Sequence, residues 1–381
     1  MRTDRPAWYD DDCVPLAEVA ATFFAKEVLP HRERFEAQRH VDRDVWLRAG
    51  ERGLLCCSIP ARYGGGDGTL AHDIVILSEQ IRCLDTGLGL IVHSGMVAHY
   101  LLAYGTEEQK QRWLPGMASG HIVGAIAMTE PDAGSDLKTM TTRARRGGEH
   151  YLLGGAKTFI SNGGTADLII VAGKTDPDAG AKGISLIVVE TDSAPGFRRG
   201  RILEKLGMHA QDTSELFFDD VPVPKANLLG REGGGFAMLM EQLPQERLLI
   251  GVVAVAAMER ALDEAVTYAK ARRAFGGMLF DLQSVRLQLA ECATLVRISR
   301  VFLDNAIEKH LRGELDAATA SMAKWWLTDT QSQVIDRCLQ LFGGYGYIRE
   351  YPIARLYADA RGQRIYGGAN EIMKELIARS L

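Results

Sequence analysis

The residues best suited to do chemistry are Glu246 and Arg247, in the stretch Leu243-Pro244-Gln245-Glu246-Arg247-Leu248-Leu249-Ile250. Between positions 243 and 258 they are the only charged residues, and Gln245 is the one other polar side chain. Positions 251–258 have no polar side, and a helix that is hydrophobic all round is a buried one. A carboxylate in such surroundings is costly unless it is paired, neutralised or put to work. Neighbours i and i+1 stand about 100° apart on a helix, so Glu246 is expected to face a reacting carbon and Arg247 a different part of a ligand. Pro244 suits the first turn just ahead of them. A plainer alternative leaves both charges at a frayed helix start, half in water and neutralising each other.

The elements that must position this pair follow from periodicity. Up to about residue 121 the chain is helical, with Leu16, Val19, Ala20, Phe23 and Phe24, then Ile74, Leu77 and Ile81, at helical spacing. Gly64-Gly65-Gly66-Asp67-Gly68 marks a loop, and helix resumes near Thr86. Thr106-Glu107-Glu108-Gln109 is a capped start, and Trp113-Leu114-Pro115-Gly116 an expected end. From 122 to about 229 short strand-like runs take over, at 122–128, 140–145, 151–153, 158–161, 168–172, 184–190 and 215–219. Pro222 and Pro224 close this region, and Gly233-Gly234-Gly235 opens the next. Long helical patterns return at 236–272, 281–312, 316–342 and 353–379, the pattern of a bundle holding a cofactor site on facing helices. The expected class is therefore α+β: an N-terminal all-α domain (1–121), a middle β-barrel or sandwich domain (122–232) and a C-terminal four-helix bundle (233–381).

Bulk properties narrow the function classes. A net charge of −5 and a pI near 6.0 argue against a nucleic-acid or anionic-membrane partner. The six cysteines form no C-x-x-C pair, so free thiols in a reducing compartment are expected. No run has the apolar length of a membrane span, and the start (Asp4, then Asp10, Asp11 and Asp12) is neither a secretory signal nor an acid-poor transit peptide. A cytoplasmic location is the default expectation. Without H-E-x-x-H, and without G-x-G-x-x-G after a strand, neither a metalloprotease nor a Rossmann nucleotide site has support, and no metal is expected.

Four stretches in order resemble one family. Met128-Thr129-Glu130-Pro131-Asp132-Ala133-Gly134-Ser135-Asp136 is similar to the T-E-P-x-A-G-S-D signature of the acyl-CoA dehydrogenases. Arg272-Arg273-Ala274-Phe275-Gly276, Gln340-Leu341-Phe342-Gly343-Gly344 and Tyr366-Gly367-Gly368-Ala369-Asn370-Glu371 fall where that family has its later motifs. The resemblance runs from about residue 15 to the C-terminus, and positions 243–250 and 365–379 look most like the long-chain type.

This resemblance implies FAD, a medium- to long-chain fatty acyl-CoA substrate, a homotetramer, and an electron-transfer flavoprotein as acceptor. In the family a glutamate takes the pro-R α-proton while the β-hydrogen leaves as hydride to flavin N5, giving a trans-2-enoyl-CoA. Most members carry that glutamate where this chain has Gly367; some place it on the facing helix, and Glu246 stands at that second position. A free glutamate, with a pKa of about 4.3, is too weak a base, and a bound acyl chain that excludes water should raise it. By the same resemblance a backbone N–H near Gly367 and a flavin ribityl hydroxyl meet the oxyanion.

The remaining motifs gain roles the same way. Met128, Thr129, Gly134 and Ser135 would offer donors to the flavin ring, Ser135 also to the pantetheine arm. Phe159, Ile160 and Ser161 would cover the isoalloxazine, although simple strand alternation accounts for Phe159 and Ser161 equally well. Arg272, Phe275 and Gln283 would reach the FAD of a neighbouring subunit; an arginine near a helix end also simply satisfies the dipole. Gln340, Gly343 and Gly344 would approach the pyrophosphate, with a helix C-cap as the alternative. Ala369, where the family often has threonine, Asn370 and Glu371 complete the cofactor set. Pro244, Arg247, Gly367 and Gly368 complete the substrate set. His93-Ser94-Gly95-Met96 lies where the family closes its acyl pocket: Ser94 and Gly95 suit a deep pocket, or Gly95 permits helix packing. Trp325-Trp326 and Cys56-Cys57 are read as packing residues. Two other activities stay open: dehydrogenation on an acyl-carrier protein, and a flavin oxygenase or oxidase on the same fold.

Overall fold

The computed structural model describes residues 5–381, so Asp4 of the acidic N-terminus lies outside it. The N-terminal helices are α1 (Cys13–Phe23), α2 (Arg32–Gln38), α3 (Arg43–Glu51), α4 (Leu70–Arg82), α5 (Leu90–Val92), α6 (Ala98–Tyr104) and α7 (Glu107–Ala118). The start of α7 is the expected capping box: Gln109 N–H donates to Thr106 Oγ1 at 3.2 Å and Thr106 N–H to Gln109 Oε1 at 3.0 Å. Its end is not where Trp113-Leu114-Pro115 suggests, because the helix runs through Pro115 to Ala118. Proline there removes the bond to the Gln111 carbonyl, and Gln111 lies on the exposed side where water can replace it.

Eight strands follow: β1 (Gly124–Ala127), β2 (Arg143–Gly147), β3 (His150–Ser161), β4 (Leu168–Lys174), β5 (Ile184–Glu190), β6 (Phe197–Ile202), β7 (Thr213–Pro224) and β8 (Leu228–Leu229). They pair in the order β6-β7-β3-β2-β4-β5-β8, with β1 added parallel to β4. The two halves join at Arg143 opposite Lys174. β4 is buried on both faces: Leu168, Ile170 and Ala172 pack with Tyr100, Trp113 and Leu114 of the helices, while Ile169 and Val171 pack with Leu153, Leu216 and Phe218 of the sheet. That two-sided burial explains its uninterrupted apolar run.

Two expectations here are corrected, and one strand escaped the sequence reading. The runs 151–153 and 158–161 are one strand, β3, which crosses Gly154-Gly155 by a register shift, with Gly155 at φ 147°. Pro222 and Pro224 lie within β7 and do not end the region before it. β6 escaped periodicity because Phe-Arg-Arg-Gly-Arg-Ile carries mostly exposed polar groups on a sheet edge.

The C-terminal bundle comprises α8 (Gly235–Ala271), α9 (Gln283–Leu311), α10 (Ala317–Gln340), α11 (Pro352–Gln363) and α12 (Asn370–Ala378), with a small hairpin, β9 (Arg273–Ala274) and β10 (Gly277–Met278), after α8. The expected fourth long helix is thus two helices, broken where Gly367 (φ 67°) and Gly368 (φ 92°) take left-handed conformations. α8 is the hub, packing against α4, α9, α10 and α11, and every residue from Gln245 to Met258 is buried.

One buried ion pair ties the first signature stretch to the sheet. Lys157 Nζ donates to Glu130 Oε1 and to the Met128 carbonyl, both at 2.9 Å, with the lysine side chain fully enclosed. Removing one partner of such a pair leaves an uncompensated charge. Lys157→Met is expected to destabilise the protein by about 3–5 kcal/mol, whereas the double variant with Glu130→Gln, which removes the charge and keeps an acceptor for Thr141 and Thr142, recovers part of that loss. Chemical denaturation of the three proteins checks this, and an unchanged single variant would count against a structural role for the pair.

Candidate active site

Glu246 lies in the interior of α8, eleven positions past its first residue, and is only 3% exposed. The frayed-start alternative is therefore excluded, and so is the first-turn reading of Pro244, which sits inside the same helix. Pro244 takes the donor away from the Met240 carbonyl one turn back. The helix tolerates this because tertiary packing, not local propensity, holds it.

The carboxylate has one hydrogen-bond partner among the described residues: the Tyr100 hydroxyl of α6 donates to Oε1 at 2.9 Å. Burial pushes the Glu246 carboxyl up to about 7, against the opposing pull of that hydroxyl and of the neighbouring Arg247 charge. Arg247 forms no ion pair with Glu246 among the described residues. Its Nη1 reaches Ser321 Oγ at 3.3 Å, and its Nε is buried with no partner. Burial draws the guanidinium pKa down while Glu246 opposes. A cation held this way can meet a ligand's oxygen, as the separation of the two side chains around α8 requires. Next to it, Gln245 Nε2 donates to the Gly95 carbonyl at 2.8 Å, which fastens α8 to the segment before α6.

Gly367 faces this stripe of α8. A Cβ added to it would lie 2.2 Å from Cδ1 of Ile250, one turn beyond Glu246. No hydrogen bond from the Gly367 or Gly368 N–H groups is present among the described residues, so both remain available to an oxygen in the cleft. Lys324 holds the turn, its Nζ donating to the Gly368 carbonyl at 2.7 Å and to Asn370 Oδ1 at 2.8 Å. Burial, then the Arg247 charge, brings this lysine down to about 8. Asn370 is 3% exposed and its amide also donates to Thr328 Oγ1 and Asp329 Oδ1, each at 3.0 Å. Its side chain is thus engaged as a structural brace. Ala369 caps α12 without a side-chain bond, and Glu371 is exposed.

The first signature stretch lies close by. Met128 and Phe236, in the first turn of α8, pack into the cluster that contains Tyr100, and Lys138 Nζ lies 5.6 Å from the Phe236 ring centre. Thr158 N–H donates to the Thr129 carbonyl at 3.0 Å, joining this loop to β3. The register of β3 shifts between Lys157 and Ile160, leaving Phe159 at φ 58° and 67% exposed while Ile160 is buried. Simple alternation would not put an aromatic residue into a left-handed backbone, and such strain is characteristic of ligand sites. Gly134 and Ser135 are exposed, and the hydroxyls of Thr129 and Ser135 make no hydrogen bond among the described residues. A Cβ on Gly134 would meet nothing within 4 Å. An open turn with free hydroxyl donors beside a bare aromatic face fits a flavin ring. Ser161 is half-buried at the end of β3.

Arg272, Phe275, Gln283, Gln340, Gly343 and Gly344 are not part of this assembly. Arg272 caps α8, roughly 40 Å along the helix from Glu246 at 1.5 Å per residue. All six are exposed, Phe275 at 94% and with φ 52°. The Arg272 guanidinium lies 5.6 Å from the ring centre of Tyr345, beside Gly343 (φ 57°) and Gly344, where an added Cβ would meet nothing within 4 Å. Arg272 and the Gly343-Gly344 turn form a second open cluster at the far end of the bundle, with Phe275 and Gln283 in the segment after α8 and Gln340 ending α10.

Comparison with known proteins decides the family. Models described as acyl-CoA dehydrogenase N-terminal, middle and C-terminal domain match residues 11–121, 125–221 and 233–381. The chain belongs to the acyl-CoA dehydrogenase family. Its members are FAD flavoproteins and oxidoreductases acting on CH–CH groups. The chain is 47% identical over 366 residues to the mitochondrial long-chain specific acyl-CoA dehydrogenase of Mus musculus, covering 96% of this chain and 85% of that protein. It is 33% identical to a short-chain specific acyl-CoA dehydrogenase of Clostridium acetobutylicum, covering 95% and 96%. The structure of an acyl-CoA dehydrogenase from Geobacillus kaustophilus superimposes with a TM-score of 0.97 at 45% identity, covering 99% of each chain.

Reasoning from the sequence missed Tyr100, Lys324 and Lys157. Lys324 had a signal, a lone cation among small and apolar residues (Ala320-Ser321-Met322-Ala323-Lys324-Trp325-Trp326-Leu327). Tyr100, in His99-Tyr100-Leu101-Leu102, had none. Trp326 is 40% exposed, so the packing reading of Trp325-Trp326 fails for its second member, which faces outward from α10. Cys56 and Cys57 are buried, as packing residues should be.

The raised carboxyl makes stability depend on pH. The folded protein holds the Glu246 proton up to about 7, whereas the ordinary value is 4.5. Between those values the folded state binds more protons, so stability falls as pH rises through the window. The loss is on the order of 3 kcal/mol once both states are ionised. Glu246→Gln removes it, so the variant is expected to gain on the parent between pH 4.5 and pH 8 in chemical denaturation. Parallel pH profiles would refute an elevated carboxyl at this position.

Proposed function

We propose that this protein dehydrogenates a medium- to long-chain fatty acyl-CoA between its α and β carbons, with Glu246 as the base. The observation that carries this reading is a buried carboxylate with a raised pKa and no ion-pair partner, set opposite two glycine N–H groups that make no internal bond. The carboxylate would accept the α-proton. The Gly367 amide would meet the charge that builds on the thioester oxygen, where a preorganised donor in a dry site is most effective. Arg247 would fix the ligand. Bound FAD supplies the two-electron acceptor that receives the β-hydrogen as hydride. Met128, Thr129, Gly134, Ser135, Phe159, Ile160 and Ser161 would hold it.

Chain length rests on the 47% identity to a long-chain specific relative. The cavity beside Leu249, with Asp73 and Gly95 in its wall, measures about 10 Å³, room for one water and not for an acyl chain. Gly95 serves helix packing, because a Cβ there would lie 2.5 Å from Leu249 Cδ1. The reading extends to a homotetramer in which Arg272, Phe275 and Gln283 reach a neighbour's FAD, while Gln340, Gly343 and Gly344 approach a pyrophosphate. It extends also to an electron-transfer flavoprotein as acceptor, and to a cytoplasmic setting in keeping with six free cysteines.

The decisive experiment is anaerobic flavin reduction. Glu246→Gln is expected to retain FAD and bind substrate while reduction slows by roughly 10²–10⁴-fold; reduction at the parental rate would overturn the assignment. With the parent protein, saturated acyl-CoAs of increasing length are expected to give the fastest reduction among medium to long chains. Fastest reduction by the shortest acyl groups, or only by carrier-protein thioesters, would redirect the substrate assignment.

A further inference from the structure

Glu246 is held from the N-terminal helices. Tyr100 is fully enclosed on α6 and gives its hydroxyl hydrogen to Oε1 of Glu246 at 2.9 Å. The other oxygen, Oε2, has no protein partner among the described residues, yet it is not sealed off like the orphaned Nε of Arg247. One carboxylate oxygen is therefore fixed and the other left open to the cleft. The phenol cannot turn away easily. Its ring lies 6.1 Å from that of Tyr104, one helical turn on. Tyr104 in turn donates to Glu241 Oε2 at 2.7 Å, and its hydroxyl oxygen accepts from Gln242 Nε2 at 3.3 Å and lies 3.3 Å from the Met238 carbonyl. Two tyrosines of α6 thus grip α8 at two successive levels, and the upper one ends on the base.

We propose that Tyr100 is the positioning residue for the base: it fixes the Glu246 rotamer so that Oε2 receives the α-proton. The inference rests on Glu246 being the base. Tyr100 remains protonated throughout, because burial, then the Glu246 charge, raises its pKa well above the ordinary value. It is therefore always a donor. A hydrogen bond to a charged acceptor favours the charged form, so the phenol opposes the upward push of burial. When Oε2 takes the proton, Oε1 becomes a neutral acceptor and the bond weakens. Tyr100 thus lowers the proton affinity of the base while fixing the geometry of transfer. The titratable groups around it have distinct roles. Tyr100 on α6 and Arg247 on α8 act on Glu246 itself, Tyr104 on α6 acts on Tyr100, and Arg247 acts on Lys324 of α10.

The test compares the parent, Tyr100→Phe and Glu246→Gln as FAD-loaded proteins by two readouts. Infrared difference spectra across a pH titration follow the protonated carboxyl band that Glu246→Gln lacks. Single-turnover flavin reduction by a saturated acyl-CoA, as a function of pH, follows the acidic limb. In Tyr100→Phe both the band and the limb are expected to move upward by about one to two pH units, the worth of a hydrogen bond to a charged group. Loss of packing alone would lower the rate without moving either. Incorporation of 3-fluorotyrosine at position 100 keeps the shape and strengthens the donor, so it is expected to move both downward. This second variant carries the test if Tyr100→Phe folds poorly. A carboxyl band and limb unmoved in both variants would overturn the role of Tyr100. Normal reduction in Glu246→Gln would instead overturn the base assignment itself.

Discussion

The structure depends on keeping one carboxylate inside a stretch of α8, Gln245 to Met258, in which every residue is buried. α8 packs against α4, α9, α10 and α11, and Glu246 is only 3% exposed. An isolated charge in such a place costs several kcal/mol unless something compensates. Here the compensation is partial: one phenol hydroxyl and the field of Arg247. Partial compensation leaves the carboxyl able to exchange a proton near neutrality. Full pairing would leave it a permanent anion, and no compensation would leave it a permanent acid.

Glu130 shows what full compensation looks like in the same molecule. Although burial raises its pKa, the Lys157 charge and the bonds from Thr141 and Thr142 outweigh that and bring it down to about 2. This acid of the first signature stretch is structural. It fastens the loop carrying Thr129 and Ser135 to the sheet, while the hydroxyls of those two residues remain free. Asn370 plays a similar part in the last stretch, fully engaged by Lys324, Thr328 and Asp329 while the neighbouring glycine amides stay open. Within each motif, satisfied polar groups hold the frame and unsatisfied ones face the cleft.

This division explains what could be read from the sequence. The long helices, the buried run of α8 and most strands follow from periodicity, because burial dictates residue type along one element. The importance of Glu246 follows as well, since a lone acid in an apolar run violates the pattern. Tyr100 was not legible: a tyrosine on a half-apolar helix is ordinary, and its pairing with Glu246 spans 146 positions. The strained backbone of Phe159 was equally hidden, because a register shift depends on the partner strand β7 and not on the residues of β3 alone. The second open cluster could be named from motifs, but its distance from Glu246 appears only once α8 is seen to run unbroken to Ala271.

Gly367 shows that the location of the acid is a commitment of the whole fold. A residue there must adopt φ 67°, which disfavours any side chain, and its Cβ would collide with Ile250. Ile250 cannot shrink without opening a hole in the enclosed centre of α8, and cavities in such cores are costly. Lys324 further pins the turn through the Gly368 carbonyl. A carboxylate transferred to position 367 would therefore need a side chain at a left-handed backbone position and a shift of the Ile250 Cδ1 methyl. Those two adjustments act on the same turn and the same stripe of α8, and so the acid on α8 and the bare glycine opposite it form one structural unit.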